Sequence, residues 1–208
     1  MVKDFIQMLL AANMPVPSTL YDLGVGPGTE WEPLLKQWPD LQVFGCEPLP
    51  GNYKRYKLTF PGKLFNIAIN YVNGPVTLNT HKRQKYMATL LPSNGKGQKT
   101  LERRKVKGWT LDKFDRECGQ RDDIVLWMDI EGAELRALTS GQELLKSGRI
   151  LALNVEVRWK QPQLPAGWAV DSEVHDCLTD CGYIKIGVHE ETKNRYDAVY
   201  MRKDIVNV

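Results

Sequence analysis

Leu20-Tyr21-Asp22-Leu23-Gly24-Val25-Gly26-Pro27-Gly28-Thr29 sets an apolar run, an aspartate and three alternating glycines directly before a helix-like stretch at 29–38. Read physically, this is a strand, a tight turn and the start of a helix. Glycines let the backbone pass close to a ligand, and the free amides of a helix start point into the same space. The spacing discriminates between ligands. A dinucleotide fingerprint needs a third glycine at the position held here by Thr29, and Pro27 removes one of the amides that would cradle a phosphate. The turn suits a nucleoside-type ligand better than a pyrophosphate.

Working outward, a second apolar strand at 41–46 ends in Glu47 and Pro48. Glu47 stands 25 residues after Asp22, at the edge where a carboxylate can accept hydrogen bonds from both ribose hydroxyls. A helix at 52–59, closed by Pro61, and a third strand at 63–70 continue the alternation, which predicts a parallel sheet covered on both faces. The pattern resumes with a continuously apolar strand at 124–130, a helix from 133 to about 146, a fifth strand at 149–159 and a helix at 171–180. Strands at 183–189 and 196–202 are close enough to form an antiparallel hairpin. Between 71 and 121 the rhythm breaks: 75–80 alternates like a half-exposed strand, 93–98 is glycine-rich, and 106–111 reads as a strand. This segment is expected to be an inserted or elaborated crossover. Residues 1–17 read as an amino-terminal amphipathic helix, and 1–208 as a single α/β domain.

Met128-Asp129-Ile130-Glu131-Gly132-Ala133-Glu134 closes the fourth main strand with carboxylates two apart, so Asp129 and Glu131 project to one side, at the edge where open parallel sheets bind ligands. Glu134 falls inside the following helix, where the helix dipole favours an acid. Glu156, in Asn154-Val155-Glu156-Val157, needs a partner if buried, and Arg158 is the nearest in sequence. Together, the aspartate-led glycine turn, the strand ending Glu47-Pro48, the Asp-x-Glu-Gly-x-Glu run and the strand carrying Glu156 resemble the FkbM family of S-adenosylmethionine-dependent O-methyltransferases, over roughly residues 19–159. One departure is Val25 and Gly26, where the family commonly has alanine and asparagine. The resemblance implies a Rossmann-like class I fold, a three-layer sandwich with a mostly parallel seven-stranded sheet and a terminal antiparallel hairpin. It implies S-adenosylmethionine held by Asp22, Gly24, Gly26, Gly28, Glu47 and Asp129, with Asp22 near the ammonium group. The activity it implies is O-methylation of a hydroxyl on a carbohydrate or small natural product.

Such a transfer benefits from a general base, for which Asp129 and Glu131 are the leading candidates and His81 a third. His81, Glu156 and Trp159 are candidates for the acceptor side, and the loop carrying Pro162, Pro165 and Trp168 for its wall. A divalent cation on Asp129 and Glu131 is left open. The stretch 81–108 holds nine lysines and arginines against Glu102 alone. That basic segment suits a solvated loop, an anionic acceptor, or a nucleic-acid surface over 82–107, although Tyr86 is its only aromatic before Trp109. The net charge of +3 by itself does not call for nucleic acid. Scattered Cys46, Cys118, Cys177 and Cys181 and the lack of a long apolar run predict a soluble, cytoplasmic protein. Nothing in the pattern specifies an oligomeric state. Two rival readings are a nucleic-acid or protein methyltransferase on the same fold, and a nucleotide-binding module without catalysis.

Overall fold

The structure is a computed structural model that describes residues 2–81, 88–91, 101–159 and 168–206, with the side chains of His81 and Leu101 outside the description. Its centre is a seven-stranded sheet. The strands are β1 (Thr19–Leu23), β2 (Gln42–Cys46), β3 (Lys63–Phe65), β8 (Ile124–Met128), β9 (Ile150–Arg158), β10 (Tyr183–His189) and β11 (Arg195–Arg202), in the spatial order β10-β11-β9-β8-β1-β2-β3. Only β11 runs against its neighbours, pairing antiparallel with both β9 and β10. The order reverses beside β1, which places a topological switch point at the carboxyl ends of β1 and β8.

Strand periodicity assigns each side chain to a face. Tyr21, Leu23, Leu126, Met128, Leu153 and Val155 pack with Leu111, Phe114, Ala137, Leu138, Val174 and Leu178 of α4 (Leu111–Cys118), α5 (Glu134–Thr139) and α7 (Asp171–Asp180). The opposite face, with Leu20, Val43, Val125, Ala152 and Val199, meets α1 (Val2–Ala11) and α2 (Trp31–Gln37) through Phe5, Ile6, Leu9 and Leu34, and α3 (Pro50–Tyr56) follows β2 in the chain. Burying each such side chain contributes roughly 1.5–3 kcal/mol. On this second face, the same alternation that supplies apolar residues deep in the sheet supplies polar ones at its carboxyl edge. Asp22 is paired with Trp127, Trp127 with Asn154, and Glu156 with Asp197.

A second sheet of four strands lies beside β3, in the order β4 (Ala68–Ile69), β7 (Leu101–Trp109), β5 (Gly74–His81), β6 (Ala88–Thr89), with its own apolar cluster of Leu49, Ala68, Val76, Leu78 and Val106. The expected strand at 63–70 is therefore two strands in two sheets. Asn66 is the reason: its Nδ2 donates to the carbonyls of Glu47 (2.8 Å) and Pro48 (3.1 Å), turning the chain from one sheet to the other. The expected helix at 133–146 is likewise two, α5 and α6 (Gln142–Lys146). At their junction the Leu111 amide donates to Ser140 Oγ at 2.9 Å, and a side chain at Gly141 would meet Leu111 at 2.6 Å. The break thus accommodates α4, a helix capped by Thr110 and ended by left-handed Gly119 (φ +90°) that the sequence reading did not assign. Residues 93–98, Tyr86, Pro162 and Pro165 lie outside the described residues, as does most of the basic segment. Among the described residues no helix is long and apolar enough to cross a membrane.

Candidate active site

β1 ends in Leu23, and the chain then turns sharply because Gly24 adopts φ +93° and Gly26 φ +47°. The two glycines do different things. A Cβ on Gly24 would lie 2.0 Å from the Asp129 carbonyl oxygen, so its absence lets the β1 turn sit against the end of β8. A Cβ on Gly26 would touch only the Gly24 carbonyl, at 3.6 Å, leaving the turn open toward the cavity. At Gly28 the conflict would be with the movable Glu30 carboxylate. Gly24→Ala is accordingly expected to lower the melting temperature by several degrees, since the backbone conformation alone costs about 1–3 kcal/mol in a non-glycine residue. Gly28→Ala should leave it near wild type. Thermal denaturation followed by circular dichroism checks both.

The turn forms one wall of a cavity of about 320 Å³. Glu47 forms another: it is buried, its Oε2 accepts from the Gly26 amide (3.1 Å) and its Oε1 from the Leu49 amide (2.7 Å). Each oxygen keeps a lone pair for a ligand. Burial nevertheless pushes the Glu47 carboxyl up to about 7. An apolar wall comes from Ala68 and Ile69 of β4, Leu78 of β5, and Ala88 and Leu90. The floor is acidic. Asp22 lies just beneath it, 1 % exposed, with Oδ2 lacking any hydrogen bond. Desolvation raises its pKa well above the usual carboxylate range, and the nearby Glu30 and Asp129 charges raise it further. Asp129 is exposed along the cavity and enclosed on its other sides, and desolvation raises its carboxyl too.

Glu131, which also lines the cavity, takes φ +55°, a conformation unusual for any residue but glycine. Its carbonyl accepts from Thr89 Oγ1 at 2.8 Å, tying the strained residue to β6. Burial, reinforced by the charges of Asp129 and Glu156, brings its carboxyl to about 7. Glu134 points away from this chemistry. It is fully buried, its Oε1 accepts from the Ile130 and Gly132 amides, and burial raises it to about 8. Its role is to hold the 130–132 loop.

Glu30, Trp127 and Asp129 are shared with an adjoining recess of about 90 Å³, lined also by Asn154, Glu156, Thr192, Arg195, Tyr196 and Asp197. Glu156 carries two ion pairs there, with Arg158 at 3.4 Å and with Arg195. Burial lifts the Asp197 carboxyl to about 7. The two compartments meet over the carboxylates of Glu30 and Asp129 and the ring of Trp127.

A family profile described as the methyltransferase FkbM domain matches residues 28–185. The chain belongs to the FkbM methyltransferase family. Solved structures agree on the fold. The amino-terminal domain of EvdMO1, determined in the presence of SAH and D-fucose, superposes with a TM-score of 0.50 at 10 % identity, covering 97 % of this chain and 82 % of that one. A putative sarcosine dimethylglycine methyltransferase from Galdieria sulphuraria gives 0.50 at 8 % identity, covering 98 % and 85 %.

In this FkbM methyltransferase, Gly24, Gly26, Gly28, Glu47, Asp129 and Glu131 line the main cavity, and Glu156 lines the recess. Asp22 lies under the floor and lines neither. Trp159 lines neither as well; its ring leans against Tyr196, centroids 4.5 Å apart and planes tilted by 43°, and so backs the recess wall. His81 ends β5, and its side chain is outside the described residues. Trp168 covers Gly132, where a Cβ would meet its ring at 2.3 Å, and carries the Arg158 guanidinium 4.1 Å from its centroid. It supports the acidic loop from outside the cavity. The sequence reading missed Glu30, Leu78, Asn154, Arg195 and Asp197. The last three come together through the pairing of β9 with β8 and β11, which continues the line of Trp127 and Glu156.

The raised carboxyls have a consequence for stability. Glu47, Glu131 and Asp197 near 7 and Glu134 near 8 all lie above their unfolded values, so between those limits the folded chain holds more protons than the unfolded one. Stability is then full below the unfolded pKa values and is lost as pH rises through 7 to 8. The melting temperature of the ligand-free protein should fall by several degrees from pH 5.5 to 8.5 at constant ionic strength. A flat or rising profile would contradict these burials.

Proposed function

We propose that this methyltransferase is S-adenosylmethionine-dependent and methylates a hydroxyl on an uncharged, polyhydroxylated acceptor, a carbohydrate or sugar-bearing small natural product. The observation that carries the reading is the pair of compartments sharing Glu30, Trp127 and Asp129. The larger fits the cofactor in chemistry. Glu47 offers acceptors to ribose hydroxyls, Gly24 to Gly28 admits the backbone side of the molecule, and Ala68, Ile69, Leu78, Ala88 and Leu90 make an apolar slot for the base. The Asp22, Glu30 and Asp129 group, mutually repulsive when ionised, is relieved by the cofactor's ammonium and sulfonium charges. That EvdMO1's domain was determined with SAH and D-fucose present supports the same pairing of ligands here.

Bound there, the cofactor supplies an electrophilic methyl group. The chain supplies position and a proton acceptor. Asp129, at the junction of the compartments, holds the acceptor hydroxyl in line, and Glu131, poised near neutrality and fixed by Thr89, takes its proton. The recess presents Glu30, Asp129, Glu156 and Asp197 against Arg195, whose charge Glu156 already answers. An anionic acceptor would meet repulsion there; a neutral polyol meets hydrogen-bond acceptors. The exposed cations Arg103, Lys105 and Lys107 of β7 line neither compartment. With its four cysteines free, the protein is assigned to a reducing, cytoplasmic setting. A screen with radiolabelled methyl donor tests the reading. It predicts a base-stable methyl ether on a neutral sugar and no transfer to its uronate or phosphate. Transfer to amines or nucleic acid instead, or to no hydroxyl at all, would overturn it.

A further inference from the structure

We propose a divalent transition-metal site where α1 meets the end of β10, formed by Asp4, His189 and Glu190 with Asp197 beside them. Asp4 lies in the first turn of α1, His189 is the last residue of β10, and Glu190 follows it in the left-handed conformation, φ +53°. One donor atom from each of these three lies within 4.8 Å of the other two. The imidazole is the telling part. His189 is 7 % exposed, and its Nε2 lies 2.7 Å from Asn154 Oδ1. An amide oxygen only accepts, so Nε2 carries a proton, and in the neutral ring Nδ1 presents a lone pair.

That Nδ1 is buried with no hydrogen-bond partner, 3.8 Å from Asp197 Oδ2. A lone pair facing a carboxylate is unfavourable; a cation between them reverses the sign. The separation is too long for a hydrogen bond. It places Asp197 next to the Asp4, His189 and Glu190 cluster, whose donor atoms lie within 4.8 Å of one another. An oxygen acceptor behind the second ring nitrogen is also how ligating histidines are oriented. Imidazole with carboxylates and no sulfur selects zinc or manganese over magnesium or calcium, which take oxygen donors alone.

The ion would pin α1 to the edge of the sheet. Phe5, next to Asp4, packs edge-on against Trp127 at 5.4 Å, and Trp127, Glu190 and Asp197 all line the recess assigned to the acceptor. Occupancy would therefore set the position of that wall. The site itself does not depend on the methyl-transfer reading.

The test uses the full chain without an affinity tag, stripped with chelator and dialysed, and titrated calorimetrically with zinc or manganese chloride, with magnesium chloride as control. Asp4→Asn and Glu190→Gln change exposed side chains, and their melting curves without metal verify folding. The expected result is one equivalent of zinc or manganese bound, at least tenfold more weakly by each variant, no heat with magnesium, and a melting temperature raised by metal in the wild type only. No saturable one-equivalent binding, or equal affinity in wild type and both variants, would overturn the proposal.

Discussion

Glu47→Ala is expected to weaken binding of S-adenosylhomocysteine by about 10- to 100-fold. The range corresponds to the loss of one hydrogen bond from a ribose hydroxyl to a charged acceptor, worth about 1.5–3 kcal/mol. The burial of Glu47 makes the loss hard to compensate. With its carboxylate removed, the Gly26 and Leu49 amides lose their acceptor, so the glycine turn itself loosens. Glu47→Gln separates the two contributions: it retains an oxygen for one of those amides and for one hydroxyl, and should fall between wild type and alanine. Isothermal titration at pH 8, where Glu47 is ionised, gives the affinities, and melting curves show whether the variants fold. Unchanged affinity in a folded Glu47→Ala would remove Glu47 from the cofactor site.

Glu131→Gln should lower turnover by about 10²- to 10⁴-fold, the usual contribution of a general base, with cofactor affinity changed far less. The wild-type rate should also rise with pH up to about 7 and level off, because Glu131 takes a proton only when ionised and its carboxyl lies near 7. Glu131→Gln should abolish that limb. Asp129→Asn should likewise lower turnover more than cofactor affinity, while leaving the limb in place, since the role proposed for Asp129 is to position the acceptor. If both variants lost binding and turnover equally, the two carboxylates would be cofactor contacts and the base would lie elsewhere.

The parts of this site that lie within one strand-turn-helix unit were legible in the sequence. The three glycines, Glu47, Asp129 and Glu131 follow strand ends, where apolar runs stop and ligand edges begin, whereas Asp22 falls beneath the cavity floor. What could not be read is set by pairing. Leu78, Ala88 and Leu90 reach the cavity because β4 and β6, of two residues each, close a second sheet, and two residues carry no periodicity. Arg195 and Asp197 reach Glu156 through the antiparallel register of β11 on β9, which no local pattern encodes. The break at Gly141 is similar, since its cause is Leu111, thirty positions away. Thr110 and Gly119 are different: both caps of α4 stand in the sequence, and the break in rhythm between 71 and 121 hid them.

Calorimetric titration with S-adenosylhomocysteine, with NADH as control, is the decisive measurement on the proposed cofactor cavity. Saturable binding of one equivalent of S-adenosylhomocysteine, with no heat from NADH, is the predicted result. Binding of neither ligand to folded protein, or preference for NADH, would contradict it.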